Sequence, residues 1–358
     1  MLDEFWTDLT QMLVAGAIVA AFSLPAGLVA WTVVRRSGNP LLPRWQPWRA
    51  PWGCFELVVA FLVVNIIPAM IALGLAKLGD SSGVPSLLLP PVEATAAVLG
   101  MPAAIGTQEQ AVTAAMIRGL AAGVFAFPLQ LSILLGASRI LYPTWWSAAR
   151  PALAAQVVLA VITWAILTPL TLGFNAVVNL LFTSLNWSAS AHPLTKLAGR
   201  SSLDSALLVI QACVVAPVLE EILFRGVILA WAMGGRKPHP VPDVPSKIRP
   251  WLVALAGVLF AATSGWYGAI GFSLILIAGQ AVVVYLFRAK RRAVGAIYSS
   301  AALFALVHSQ VWPSPIPLFL LGLGLGWLAV RTRGILVPAF VHGLFNAVSA
   351  VIVLRSTG

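Results

Sequence analysis

Apolar runs of helix length, punctuated by proline, glycine and short charged clusters, order this chain throughout. They predict helices over residues 9–34, 54–78, 112–138, 152–183 and 203–233. The run at 251–287 is too long for one helix and breaks at Thr263-Ser-Gly-Trp-Tyr-Gly268, which predicts a hairpin of two shorter helices. Further helices follow over 294–311, 316–330 and 335–354. A bilayer crossing takes about 20 apolar residues. The expected fold class is all-α: a polytopic transmembrane helical bundle of about 8–10 membrane helices.

Composition agrees with the pattern. With 60% hydrophobic and 9% charged residues and a mean hydropathy of +0.94, the chain lies far outside the range of soluble domains. No polar stretch is long enough for a separate soluble domain. The first apolar run follows Asp3, Glu4 and Asp8 rather than a basic segment and is too long for a signal-peptide core, so it is expected to remain as a membrane helix. Cys54 and Cys213 fall inside apolar segments without CxxC spacing, as small core residues do, and indicate neither a disulfide nor a thiolate metal site.

The net charge of +11 argues for topology rather than nucleic acid, because the Lys and Arg residues form short clusters between apolar runs. Arg35, Arg36, Arg44 and Arg49 follow the first run, Arg139 and Arg150 the third, and Arg236, Lys237, Lys247 and Arg249 the fifth. Arg288, Lys290, Arg291 and Arg292 follow the hairpin, and Arg331 and Arg333 come later. By the positive-inside rule these loops are cytoplasmic, while the loop at 79–110, with Asp80, Glu93 and Glu109 and no basic residue, is external. Lys196 and Arg200 break the pattern. The setting expected is the plasma (inner) membrane of a prokaryote, with membrane lipids as partners.

Charged and hydrogen-bonding side chains inside apolar helices mark where chemistry could occur, since a charge at bilayer depth costs about 2.5–3.5 kcal/mol on insertion scales. The fifth run carries Glu220, Glu221 and Arg225. Glu221 and Arg225, at i,i+4, can pair within the helix. Glu220, turned by about 100°, must look elsewhere, to another helix or a wet cavity. His308 follows Phe304 by one turn, and Phe304 is expected to pack beside it and shield it from lipid. His342 and Asn346 share a face of the last helix. Asn175 and Asn179, also at i,i+4, read as an interhelical clamp. Taken together, Glu, His, His and Asn could activate a water and stabilise an oxyanion. Glu220, His308 and His342 all lie roughly 10–20 Å from the cytoplasmic loops at 1.5 Å per residue.

These residues resemble the Abi or CPBP group of intramembrane proteases, which includes the type II CAAX prenyl endopeptidases. Its motifs Glu-Glu-x-x-x-Arg, Phe-x-x-x-His and His-x-x-x-Asn stand here, in order, as Glu220-Glu221-Ile-Leu-Phe-Arg225, Phe304-Ala-Leu-Val-His308 and His342-Gly-Leu-Phe-Asn346. The resemblance covers residues 203–354 and implies a catalytic membrane core at 203–358, with a helical hairpin inserted at 251–287 and accessory membrane helices at 1–202. It further implies peptide-bond hydrolysis without a covalent acyl-enzyme, with a membrane-bound peptide or protein as the substrate partner. Glu220 with His308 would activate the water, His342 and Asn346 would stabilise the oxyanion, and Glu221 with Arg225 would order the site. A divalent ion such as zinc on Glu220, His308 and His342 stays open, though no HExxH helix is present. Two other readings fit the same residues: a non-catalytic membrane scaffold or immunity protein of this fold, and a proton-coupled transporter. The absence of an internal repeat weighs against the transporter.

Overall fold

A computed structural model of the chain describes residues 51–82, 105–142, 152–187, 202–234, 244–265, 267–286 and 292–356, together with Thr32 and Arg36. The helix expected at 9–34, most of the basic loop residues and much of the loop at 79–110 lie outside the described residues. Within them the chain is helical, without strands. We number the helices α1 (Cys54–Ser82), α2 (Ile105–Leu141), α3 (Leu153–Ser184), α4 (202–232), α5 (Arg249–Thr263), α6 (Tyr267–Leu286), α7 (Arg292–Leu306), α8 (Pro315–Thr332) and α9 (Leu336–Ser356). Helices α1, α2, α3, α4, α6 and α8 contain spans long and apolar enough to cross a membrane, and α5, α7 and α9 contain shorter apolar stretches. The protein is therefore an integral, multi-pass membrane protein. Along α1 the exposed side chains Phe55, Val58, Leu62, Ile66, Met70 and Leu73 recur at helical spacing, as a face solvated by lipid requires.

The chain divides into two compact units. The first comprises residues 1–57, 148–191 and 220–345. Its core joins α3, α8 and α9 through Leu159, Leu167, Leu321, Leu325, Leu328 and Val341. A second cluster in the same unit joins α3 to the α5–α6 hairpin and α7 through Phe182, Ala261, Leu276, Leu306 and Trp312. The predicted hairpin is present, and its turn is made by Ser264 and by Gly265, whose φ of 74° suits glycine. Trp312 packs over the start of α6: a Cβ on Gly268 would stand 2.6 Å from its ring.

The second unit comprises residues 58–147, 192–219 and 346–358, and packs α2 on the start of α4 through Leu120, Ala121, Leu207 and Leu208. Pro68 sits inside α1 and has no N–H to give to the carbonyl of Val64, four residues back. Gln130 of α2, fully buried, supplies the donor: its Nε2 lies 2.9 Å from that carbonyl and 3.3 Å from the carbonyl of Val63. In a medium without water, such a side chain is what makes an interior proline tolerable.

Two expectations need correction. Asn175 and Asn179, half-buried on α3, make no side-chain hydrogen bond among the described residues and so form no clamp there. Cys54, read as a core residue, is exposed at the start of α1.

Candidate active site

Helix α4 does not keep a uniform register. Residues 211–215 and 221–229 hydrogen-bond in the wider i to i+5 pattern of a π-helix, with α-helical residues 216–220 between them. Such wide turns recur at functional sites because they re-aim side chains and free backbone carbonyls. Glu220 is the last residue of the α segment and Glu221 the first of the second π segment. Two carbonyls of that π segment are met by side chains of the same unit: Ser300 Oγ donates to Phe224 at 3.0 Å, and Trp52 Nε1 to Val227 at 3.0 Å.

The adjacent glutamates have different surroundings. Glu221 is fully buried, and its Oε1 accepts from Arg225 Nη1 at 2.8 Å, the i,i+4 pair that the sequence predicts. Arg225 is also fully buried, its Nη2 is 3.4 Å from the carbonyl of Gly322, and its guanidinium lies 4.3 Å from the centre of the Phe304 ring. The cation thus has a carboxylate, a carbonyl and an aromatic face around it. The same Glu221 oxygen accepts from His342 Nδ1 at 3.0 Å. A carboxylate can only accept here, so His342 carries its proton on Nδ1 and turns Nε2 the other way. Glu220 stands on that side. Its side chain is 27% exposed, and its Oε2 is 3.9 Å from His342 Nε2. Glu221, His342 and Glu220 therefore form one chain from the buried ion pair to a partly open carboxylate.

His308 is presented differently from the expectation. The predicted helix 294–311 stops at Leu306, and His308 lies in the turn that follows. The prolines at 313, 315 and 317 oppose continuation of the helix. The backbone N–H of His308 goes to Ala305, three residues back, which leaves the carbonyl of Phe304 to the His308 ring: Nδ1 donates to it at 2.7 Å. Both histidines therefore have Nδ1 engaged and Nε2 on the opposite side of the ring. The Phe304 ring, fully buried, makes edge contacts with His308 at 5.1 Å and His342 at 5.6 Å between centroids.

A family model described as type II CAAX prenyl endopeptidase Rce1-like matches residues 202–293 and 280–348, overlapping stretches that hold all three motifs. Over residues 202–348, less than half of the chain, the sequence is similar to the CPBP family of CAAX-type membrane proteases. No curated protein and no solved structure matches. The CAAX-protease match includes the α5–α6 hairpin and leaves the chain before residue 202 unmatched.

Of the predicted CAAX-protease site residues, Glu220, Glu221, Arg225 and His342 come together, and His308 joins them through the Phe304 ring rather than by meeting Glu220 directly. Asn346, in the second unit, donates from Nδ2 to the backbone carbonyl of Ala212 at 2.7 Å. Among the described residues no three His, Cys, Asp or Glu side chains, Glu220, His308 and His342 included, are grouped to hold a metal ion.

Sequence reading gave Phe304 too small a part and missed Gly322. Phe304 touches Arg225 as well as both histidines. A Cβ on Gly322 would stand 3.1 Å from Ala301 and 3.2 Å from the Phe304 ring, so only glycine brings this carbonyl to Arg225 without pressing on either. The row Gly322-Leu-Gly-Leu-Gly326 was the available signal, since small residues in membrane helices mark close approach. Gly322→Ala is expected to cost about 1–3 kcal/mol by overpacking. The measurement is thermal unfolding in detergent, and an unchanged midpoint would contradict the contact.

Proposed function

We propose that the protein is an intramembrane endopeptidase that hydrolyses a peptide bond of a membrane-associated protein or peptide, prenylated substrates included, with a water activated by Glu220 and histidine. The observation that carries this reading is the chain Glu221–His342–Glu220, in which a buried ion pair fixes an imidazole and the imidazole faces a partly exposed carboxylate. The 3.9 Å between His342 Nε2 and Glu220 Oε2 is too long for a direct hydrogen bond. A water about 2.8 Å from each fits beside that gap.

In the proposed reaction the Glu220 carboxylate takes a proton from this water, and the oxygen attacks the carbonyl carbon of the scissile bond. The carbonyl π pair moves to oxygen, giving a tetrahedral oxyanion. As that intermediate collapses, the C–N bond breaks and the amine leaves with the proton returned from Glu220. His342, held by Glu221, orients the water. His308, with its Nδ1–H held by the Phe304 carbonyl, offers Nε2 as a hydrogen-bond acceptor to the substrate N–H. Glu221 and Arg225 touch no substrate in this scheme and act by holding His342.

Purified protein in liposomes should cleave membrane-tethered peptides. Glu220→Gln should reduce kcat by about 10²–10⁴-fold, the usual worth of a general base, with an unchanged melting midpoint. Turnover retained by that variant would remove Glu220 from the mechanism. A folded protein without peptidase activity, whose biological effect survives Glu220→Gln, would point instead to a scaffold.

A further inference from the structure

Asn346 belongs to the His-x-x-x-Asn motif, yet its amide nitrogen is directed at a backbone carbonyl, that of Ala212, at 2.7 Å. The reason lies in α4. At the end of its first π segment, Ala216 gives its N–H to Gln211, five residues back. In that register the carbonyl of Ala212 should be served by residue 217. Residue 217 is proline and has no N–H. The carbonyl is thereby left without its backbone donor inside an apolar helix, where a missing partner is costly. Asn346 brings the donor from α9. The second unit uses the same arrangement elsewhere, with Gln130 on the carbonyl freed by Pro68.

We infer that Asn346 is a positioning residue that supplies the hydrogen-bond donor Pro217 lacks and thereby holds the first π turn of α4. A π turn adds one residue to a helical turn, so its loss would rotate every later side chain on the helix by about 100°. The two glutamates at 220 and 221 are neighbours in sequence. Without the extra residue, Leu219 would take the direction of Glu220, and Glu220 that of Glu221. The hydrogen bond thus keeps Glu220, rather than Leu219, in the direction from which the base acts. The carbonyl contact stands independently of the peptidase reading, while its effect on turnover rests on that reading.

The test is a double-mutant cycle on the full-length protein in detergent and liposomes, using Pro217→Ala, Asn346→Ala and the pair. Asn346→Ala alone should lower the melting midpoint, speed deuterium uptake at residues 211–219, and reduce kcat at least about tenfold with little change in KM. In the Pro217→Ala background, where position 217 provides its own N–H, the same Asn346 change should cost less than about threefold in kcat and shift the midpoint only slightly. Equal kcat losses in both backgrounds would overturn the inference, because an amide acting directly on the substrate gains nothing from a restored backbone donor. Where no variant shows turnover, the melting cycle decides alone: additive shifts overturn the inference and non-additive shifts support it. Where Pro217→Ala does not fold, Asn346→Asp decides, since it keeps the size and loses the donor. Wild-type deuterium uptake at 211–219 in that variant would overturn the proposal.

Discussion

Arg225→Met should leave little folded protein. Both members of the Glu221–Arg225 pair are fully buried, at 2.8 Å, so removing the cation strands a carboxylate in the membrane core. Breaking a buried pair from one side costs about 3–5 kcal/mol, a large part of the roughly 5–15 kcal/mol that holds a domain folded. Removing both charges costs far less, because no group is then left uncompensated. Glu221→Gln/Arg225→Met is therefore expected to recover most of the midpoint lost in Arg225→Met. Thermal unfolding in detergent, followed by size-exclusion recovery, measures both. A single variant as stable as wild type would show that water reaches the pair.

Under the proposed mechanism the recovered double variant should nevertheless turn over poorly. Once Glu221→Gln has replaced the carboxylate, His342 Nδ1 faces an amide that can donate or accept, and the ring is no longer held in one tautomer. In the Ser-His-Asp triad, neutralising the carboxylate behind the histidine lowers kcat by about 10⁴-fold while geometry survives. A loss of about 10²–10⁴-fold in kcat is expected here, with KM little altered because the affected groups do not bind the substrate ground state. Peptide cleavage by the folded fraction at saturating substrate is the measurement. Near wild-type turnover in the folded double variant would mean that His342 needs no carboxylate behind it.

Much of this arrangement was legible because the membrane restricts what a sequence can do. Glu220, Glu221 and Arg225 stood out against an apolar run, and i,i+4 spacing alone identified the buried pair. The hairpin at 249–286 followed from run length and a glycine turn. Register did not follow. Nothing in the composition of 221–229 distinguishes a π from an α segment, since both satisfy the backbone within the helix and differ by one residue per turn. The stop at Leu306 was missed because the polar His308, Ser309 and Gln310 are followed by the apolar Val311 and Trp312, and the proline signal lies just beyond them. Phe304 illustrates a further limit. A Phe next to a His predicts a packing neighbour, but its contact with Arg225 depends on α4 approaching α7, which no local pattern encodes.

Pro68 and Gln130 also restrict the order in which this sequence can change. If Pro68 is replaced first, the carbonyl of Val64 regains its own N–H, and Gln130 is then free to drift toward leucine or alanine. If Gln130 goes first, the carbonyl is orphaned, and the intermediate bears the cost of an unpaired polar group in hydrocarbon. A descendant that lost both would almost always have taken the first route. The bond makes the proline an easy gate to pass through and the glutamine a locked one, so history at these two sites runs in a preferred direction.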